Sequence, residues 1–369
     1  MQFIKVDSLK PGMRLARPIF DKKGVLLYDR GKAIKDEQAI QNIQSFGLIG
    51  LFILEAAEPV PPMTERDREF ERFQTVMSAQ IKEELDMIRR TKKSKLCDQI
   101  SAQIISRYGN TPAKINFFQS LRSKEDYIYK HSLNTAILCA AMAHRMNLPL
   151  GMQRYAVMAA LVHDIGKLAV PPELMYKSTH TPEEEEQIHS LERQGYALLN
   201  ETFISDPQIA RICKNAERNL RLMEKKEPPI TERMQASTKV LMVAGVFDKC
   251  TAVRFTESPM SEISVIRKMM EKPAYYDPAV VRGLMNSITL LTPGESVELT
   301  NGMKALVISQ NEDLLRPTVL TFDSNRIVNL SNLADSGGLE VKDIMKTMDN
   351  RHVMDHERLG KMGIQVEEE

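Results

Sequence analysis

Leu161-Val162-His163-Asp164-Ile165-Gly166-Lys167 puts an imidazole and a carboxylate on adjacent residues, then a glycine, then a lysine. Where a helix ends, both side chains can reach one metal ion, with Gly166 letting the backbone turn. Lys167 is a compact positive charge suited to a phosphate, or else a solvated helix-end lysine. These are the residue types of metal-assisted phosphoester hydrolysis. In such chemistry Asp164 would orient an attacking water and Lys167 would steady the phosphate, which makes them the candidate catalytic residues.

Six other histidines accompany that pair. His131 opens an apolar helix (Ala136, Ile137, Cys139, Ala140); alone it reads as a structural histidine, and with His163-Asp164 about thirty residues on it reads as a ligand. His189, in Gln187 to Tyr196, reads equally as ligand or helix-surface residue. His144 and His180 have no partner pattern, and His352 and His356 pair at i, i+4 only within a polar tail.

Elements must bring these residues together. Residues 1–57 read as a small α/β module: a strand over Met13–Phe20, a turn at Asp21–Gly24, a strand over Val25–Tyr28, a helix from Asp36 to Ser45 with Ala39, Ile40 and Ile43 inward, and a strand over Leu48–Leu54. Residues 58–95 comprise a proline-rich linker and a long helix, Thr64 to about Arg90. Phe70, Phe73, Met77, Ile81, Leu85 and Ile88 recur there at three and four residues. That stripe packs on its own domain or forms a dimer seam. Arg89 to Lys95 reads as a solvated basic loop.

Residues 96–291 are helical in pattern almost throughout, with Thr181-Pro182-Glu183-Glu184 a strong helix start. Residues 292–331 change to period two, with Thr300-Asn301-Gly302 as a hairpin signal. Residues 332–369 read as a short helix near Val341–Met348 and a polar tail. The fold class is therefore mainly α, flanked by a small α/β module and a small β appendage.

Composition excludes several classes. The chain has 369 residues, a net charge of +1 and 43% hydrophobic residues. No global charge points to nucleic acid or membrane. Cys97, Cys139, Cys213 and Cys250 show no CxxC spacing and read as reduced. No h-region opens the chain, and no run reaches the roughly 18 apolar residues that span a bilayer. A soluble, cytoplasmic protein is expected.

The motifs resemble those of HD-GYP proteins, the HD-superfamily branch that hydrolyses cyclic di-GMP. His131-Ser132-Leu133-Asn134 resembles the first metal-histidine motif, and Leu161 to Pro171 resembles the HD motif. Glu183 to Gly195 resembles the next histidine segment, and Lys239 to Asp248 the helix with the final aspartate ligand. Val6–Leu54 and the segment with Arg316-Pro317 resemble the small flanking modules. An HD-superfamily helical domain follows as the expected fold, with His131, His163, Asp164 and His189 as metal ligands.

Departures from the family follow. Its adjacent histidines fall on Asn215 and Ala216, its final aspartate falls on Gly245, and the Gly-Tyr-Pro loop is missing from Asn219–Pro229. An amide is a poor substitute for imidazole, and neither alanine nor glycine offers a donor. The resemblance then implies a degenerate signalling protein with little or no cyclic di-GMP hydrolysis. It would act by binding a cyclic dinucleotide or a protein partner. The alternative is an active metal-dependent phosphodiesterase or other phosphohydrolase with a reduced metal site; a third reading is a scaffold built on the 64–90 helix. At most one iron- or manganese-class metal is expected, or none. Whether Glu217 or Asp248 completes the site is open. No membrane or nucleic-acid partner is expected, and a homodimer would use the 64–90 helix.

Overall fold

The structure, a computed structural model, describes residues 2–21, 23–54, 64–230, 234–254 and 259–344. The chain begins with β1 (Gln2–Lys5), β2 (Arg14–Leu15), β3 (Ile19–Phe20), β4 (Leu26–Tyr28), α1 (Glu37–Ser45) and β5 (Gly50–Leu54). β5 lies between β1 and β2, antiparallel to both, and β3 pairs with β4. Asp36 caps α1 by accepting from the Ala39 amide, and Ile40 and Ile43 fill a small core with Leu15, Ile34 and Leu51. The single strand expected over Met13–Phe20 is two strands. Pro18 lies between them and lacks the N–H that a continuous ladder needs.

α2 (Glu65–Thr91) starts in a capping box, Thr64 with Asp67. Phe70, Met77, Ile81, Leu85 and Ile88 are buried against α3 (Cys97–Tyr108) and α4 (Tyr127–Arg145). Of the two readings of the stripe, packing on its own domain is the one the structure has. Glu84 ends the basic segment by accepting from Ser94 Oγ and the amides of Lys95 and Cys97. The expected linker at 58–62 lies outside the described residues.

The helical body continues through α5 (Leu150–Val162), α6 (Pro172–Met175), α7 (Pro182–Thr202), α8 (Gln208–Glu224), α9 (Ala236–Thr251), α10 (Glu262–Met270) and α11 (Pro278–Ser287). α4 is buried nearly all round and packs on α5, α9 and α11. β6 (Ser296–Leu299), β7 (Lys304–Ser309), β8 (Thr318–Thr321) and β9 (Ile327–Asn329) form an antiparallel sheet, followed by α12 (Leu333–Ser336) and β10 (Val341–Ile344). β10 corrects the helix expected near Val341–Met348. It pairs with the open edge of β6, whose backbone groups need partners, and that outweighs local preference. Residues beyond 344 lie outside the described ones. Val297, Leu299, Val307 and Val319 join the helical core, so the sheet shares one apolar interior with the helices. Among the described residues no helix is long and apolar enough to cross a membrane.

Candidate metal site

α5 ends at Val162, and the next two residues, His163 and Asp164, turn toward α4. His131, one turn into α4, meets them. His131 Nε2 lies 3.2 Å from His163 Nε2 and 3.7 Å from Asp164 Oδ2, and His163 Nε2 lies 3.6 Å from Asp164 Oδ1. Bonds of about 2.0–2.2 Å in tetrahedral array separate their donors by roughly 3.3–3.6 Å. Among the described residues this is the one group of three or more such donors close enough to share an ion.

Hydrogen bonding sets the tautomers. His163 Nδ1 lies 2.8 Å from the Ala160 carbonyl, and His131 Nδ1 lies 2.6 Å from Asp248 Oδ2. Both oxygens can only accept, so each Nδ1 carries a proton, and in the neutral rings each Nε2 turns its lone pair toward the other. Two lone pairs facing each other at 3.2 Å, beside a carboxylate, suit a cation between them. The donor set therefore fits one divalent metal.

The electrostatics agree. Burial pulls His163 down to about 4, so it is neutral at physiological pH. Burial pushes Asp164 up, but Lys167, His163 and His131 outweigh it and hold the carboxyl well below the usual range. Lys167 Nζ sits 2.7 Å from Asp164 Oδ1; burial would lower it, yet Asp164, Glu192 and Glu217 hold it above the usual lysine value. It is thus tied to the site carboxylate while still lining the cavity beside it.

Gly166 has a different role from the one expected. Its φ is not in the left-handed region. A Cβ there would lie 2.7 Å from Glu192 Cα and 2.8 Å from the Leu191 carbonyl, and a Cβ on Gly195 would lie 2.6 Å from Gly166 Cα. The two glycines let α7 press against the turn after Asp164. That contact sets residues 191–195 beside the turn, and His189 lies outside the cluster. His189 Nδ1 lies 3.3 Å from Glu192 Oε2, and the three-donor group does not include it. Burial pushes Glu192 up, and Arg221 donates to it and to Glu217.

The cavity beside the cluster measures about 250 Å³. His131, His163, Asp164 and Lys167 line it together with the apolar side chains of Leu220, Met223, Met242 and Val246 and the ring of Tyr276. Glu217, Lys249 and Arg254 also line it. Ala216 and Gly245 open onto it, whereas Asn215 lines a separate hollow with Arg211 and Arg218. Neither Glu217 nor Asp248 joins the three-donor group. Asp248 instead stands behind His131, gripped by Arg122, a residue that sequence reasoning passed over. Its partner lies 126 residues away, and no local spacing signals such a pair.

Residues 117–280 match the HD domain family, a stretch that holds every one of these side chains. The chain carries an HD domain. The chain is similar to a cyclic di-GMP phosphodiesterase of Pseudomonas aeruginosa, 26% identical over 63% of this chain and 56% of that one. A cyclic di-GMP phosphodiesterase of Borreliella burgdorferi is 23% identical over 54% of this chain and 52% of its own. The chain thus spans about half the length of these two relatives. Among solved structures, an HDG"Y"P protein from Bdellovibrio bacteriovorus aligns with a TM-score of 0.48 at 14% identity, over 77% of this chain and 97% of that one.

Proposed function

We propose that this HD domain is a degenerate HD-GYP-like signalling module that holds at most one divalent metal and acts by binding an anionic ligand, with little or no cyclic di-GMP hydrolysis. The observation that carries this reading is the wall of the cavity. Ala216 and Gly245 stand there without donor atoms, and among the described residues only His131, His163 and Asp164 converge. A two-metal hydrolase needs ligands on both sides of a shared nucleophile. When bound, a metal here supplies Lewis acidity. Asp164 and the two Nε2 atoms would hold it, and Lys167 would keep a positive charge beside the ligand's anionic group.

The cavity is smaller than the roughly 300–1,000 Å³ of pockets that enclose drug-sized ligands. It suits part of a cyclic dinucleotide, such as one phosphate and its sugar, better than the whole. A second reading, a single-metal phosphohydrolase, draws support from the count of three protein donors with an open position, the arrangement of catalytic metal sites. Elemental analysis joined to turnover of cyclic di-GMP in excess manganese separates the two. The binding reading expects no more than one metal per chain and turnover far below ordinary enzymatic rates of about 1–10³ s⁻¹. Ordinary turnover would overturn it.

A further inference from the structure

His131 is fixed from behind by buried charges. Asp248, fully buried on α9, accepts the hydrogen bond from His131 Nδ1–H at 2.6 Å. Arg122 Nη2 donates to both Asp248 oxygens at 2.7 Å, Gln119 Nε2 donates to Oδ1 at 3.0 Å and Asn134 Nδ2 at 2.9 Å. Arg122 is 1% exposed and ranks among the largest fully buried side chains. Burying two full charges costs several kcal/mol that only good mutual geometry offsets. A carboxylate held by three donors cannot rotate, so neither can the imidazole it orients. Such partners behind a metal-binding histidine set its tautomer and ring direction.

Arg122 in turn belongs to a segment between α3 and α4 that has little regular structure of its own. The N-terminal module holds it. The Ile49 amide donates to the Arg122 carbonyl at 2.8 Å, Leu48 and Ser123 form an isolated antiparallel bridge, and Leu121 packs on the module's apolar core. Three hydrogen-bonded steps therefore join the module to the site, from Ile49 to Arg122, to Asp248, to His131.

We propose that Arg122 is a positioning residue for the metal site, acting through Asp248 on His131, and that the N-terminal module tunes metal affinity by holding the Arg122 backbone. The proposal rests on the reading of His131, His163 and Asp164 as a metal site. Neither Arg122 nor Asp248 lies among the metal donors, so their effect must pass through the imidazole.

The test is a Mn²⁺ titration of the full chain, read from the electron paramagnetic resonance of the free ion. Two-bond ¹H–¹⁵N spectra of the histidine rings in metal-free protein accompany it. The wild type should show His131 as the Nδ1–H tautomer. Arg122→Met and Asp248→Asn should each weaken Mn²⁺ binding by roughly 10- to 100-fold and mix the tautomers. The double variant should bind no more weakly than Asp248→Asn alone, because both act through one bond. Ile49→Pro, which removes the amide donor, should weaken binding in the same direction by several-fold. The tautomer in the wild type needs no variant to fold, and an Nε2–H His131 there overturns the proposal. A wild type that binds Mn²⁺ while folded Arg122→Met binds it equally well overturns the positioning role but leaves the metal reading intact. Unchanged affinity in folded Ile49→Pro overturns the role of the module. A wild type that binds no metal removes both the metal reading and this proposal.

Discussion

Gly166→Ala tests whether close approach of α7, rather than a backbone turn, is what the glycine after His163-Asp164 supplies. The added methyl would sit 2.7 Å from Glu192 Cα and 2.8 Å from the Leu191 carbonyl. Ordinary contact starts near 3.4 Å, so α7 must retreat by about 0.7 Å. Both obstacles are backbone, and no flexible side chain can yield in their place. Overpacking of a filled interior costs about 1–3 kcal/mol, and the upper part of that range is expected here. Gly195→Ala approaches the same seam from the other side, meeting Gly166 Cα at 2.6 Å. Once α7 has moved for one methyl it has partly moved for the other. The double variant should therefore lose less than the sum of the singles. Gly151→Ala is the control: nothing lies within 4 Å of a Cβ in the first turn of α5, and alanine there should stabilise by about 0.4–1 kcal/mol. Equilibrium urea unfolding followed by circular dichroism measures all four. Gly166→Ala within about 0.5 kcal/mol of wild type, the surface-substitution range, would falsify the close-approach account.

Three further outcomes follow from the site. His163→Ala should abolish metal binding in an equilibrium titration, while His189→Ala should leave the affinity within about twofold, because the His189 ring pairs with Glu192 outside the cluster. Ala216→His with Gly245→Asp should introduce a second metal by elemental analysis; both positions open onto the cavity, and a Cβ at Gly245 meets only Thr135 Cγ2, at 3.8 Å. Adding Asn215→His should contribute nothing, since Asn215 lines a different hollow. In metal-free protein, His163 is held neutral by burial down to about 4, whereas the unfolded chain takes a proton below about 6.5. The unfolded state then binds more protons between those values, so stability is lost as pH falls from 6.5 toward 4. The loss is at most roughly 3 kcal/mol, and His163→Leu should flatten that part of the stability–pH curve.

Local chemistry was legible in the chain. The Thr64 and Thr181 helix starts are capping boxes, Asp36 caps its helix, and the pair His163-Asp164 stands where an apolar helix ends. Each depends on groups within four residues of one another, so spacing alone encodes it. The HD resemblance added the expectation that His131 would meet that pair, across 32 residues. Tertiary structure decided the rest. Which face of α2 was free depended on α3 and α4 covering it, and Val341–Ile344 became a strand because β6 offered an open edge. Gly166 and Gly195 are needed because two backbones meet. Arg122 and Asp248 pair across 126 residues, where no periodicity reaches. A buried charge finds its counter-charge only when folding brings distant segments into one low-dielectric interior, and that geometry is a property of the packed chain.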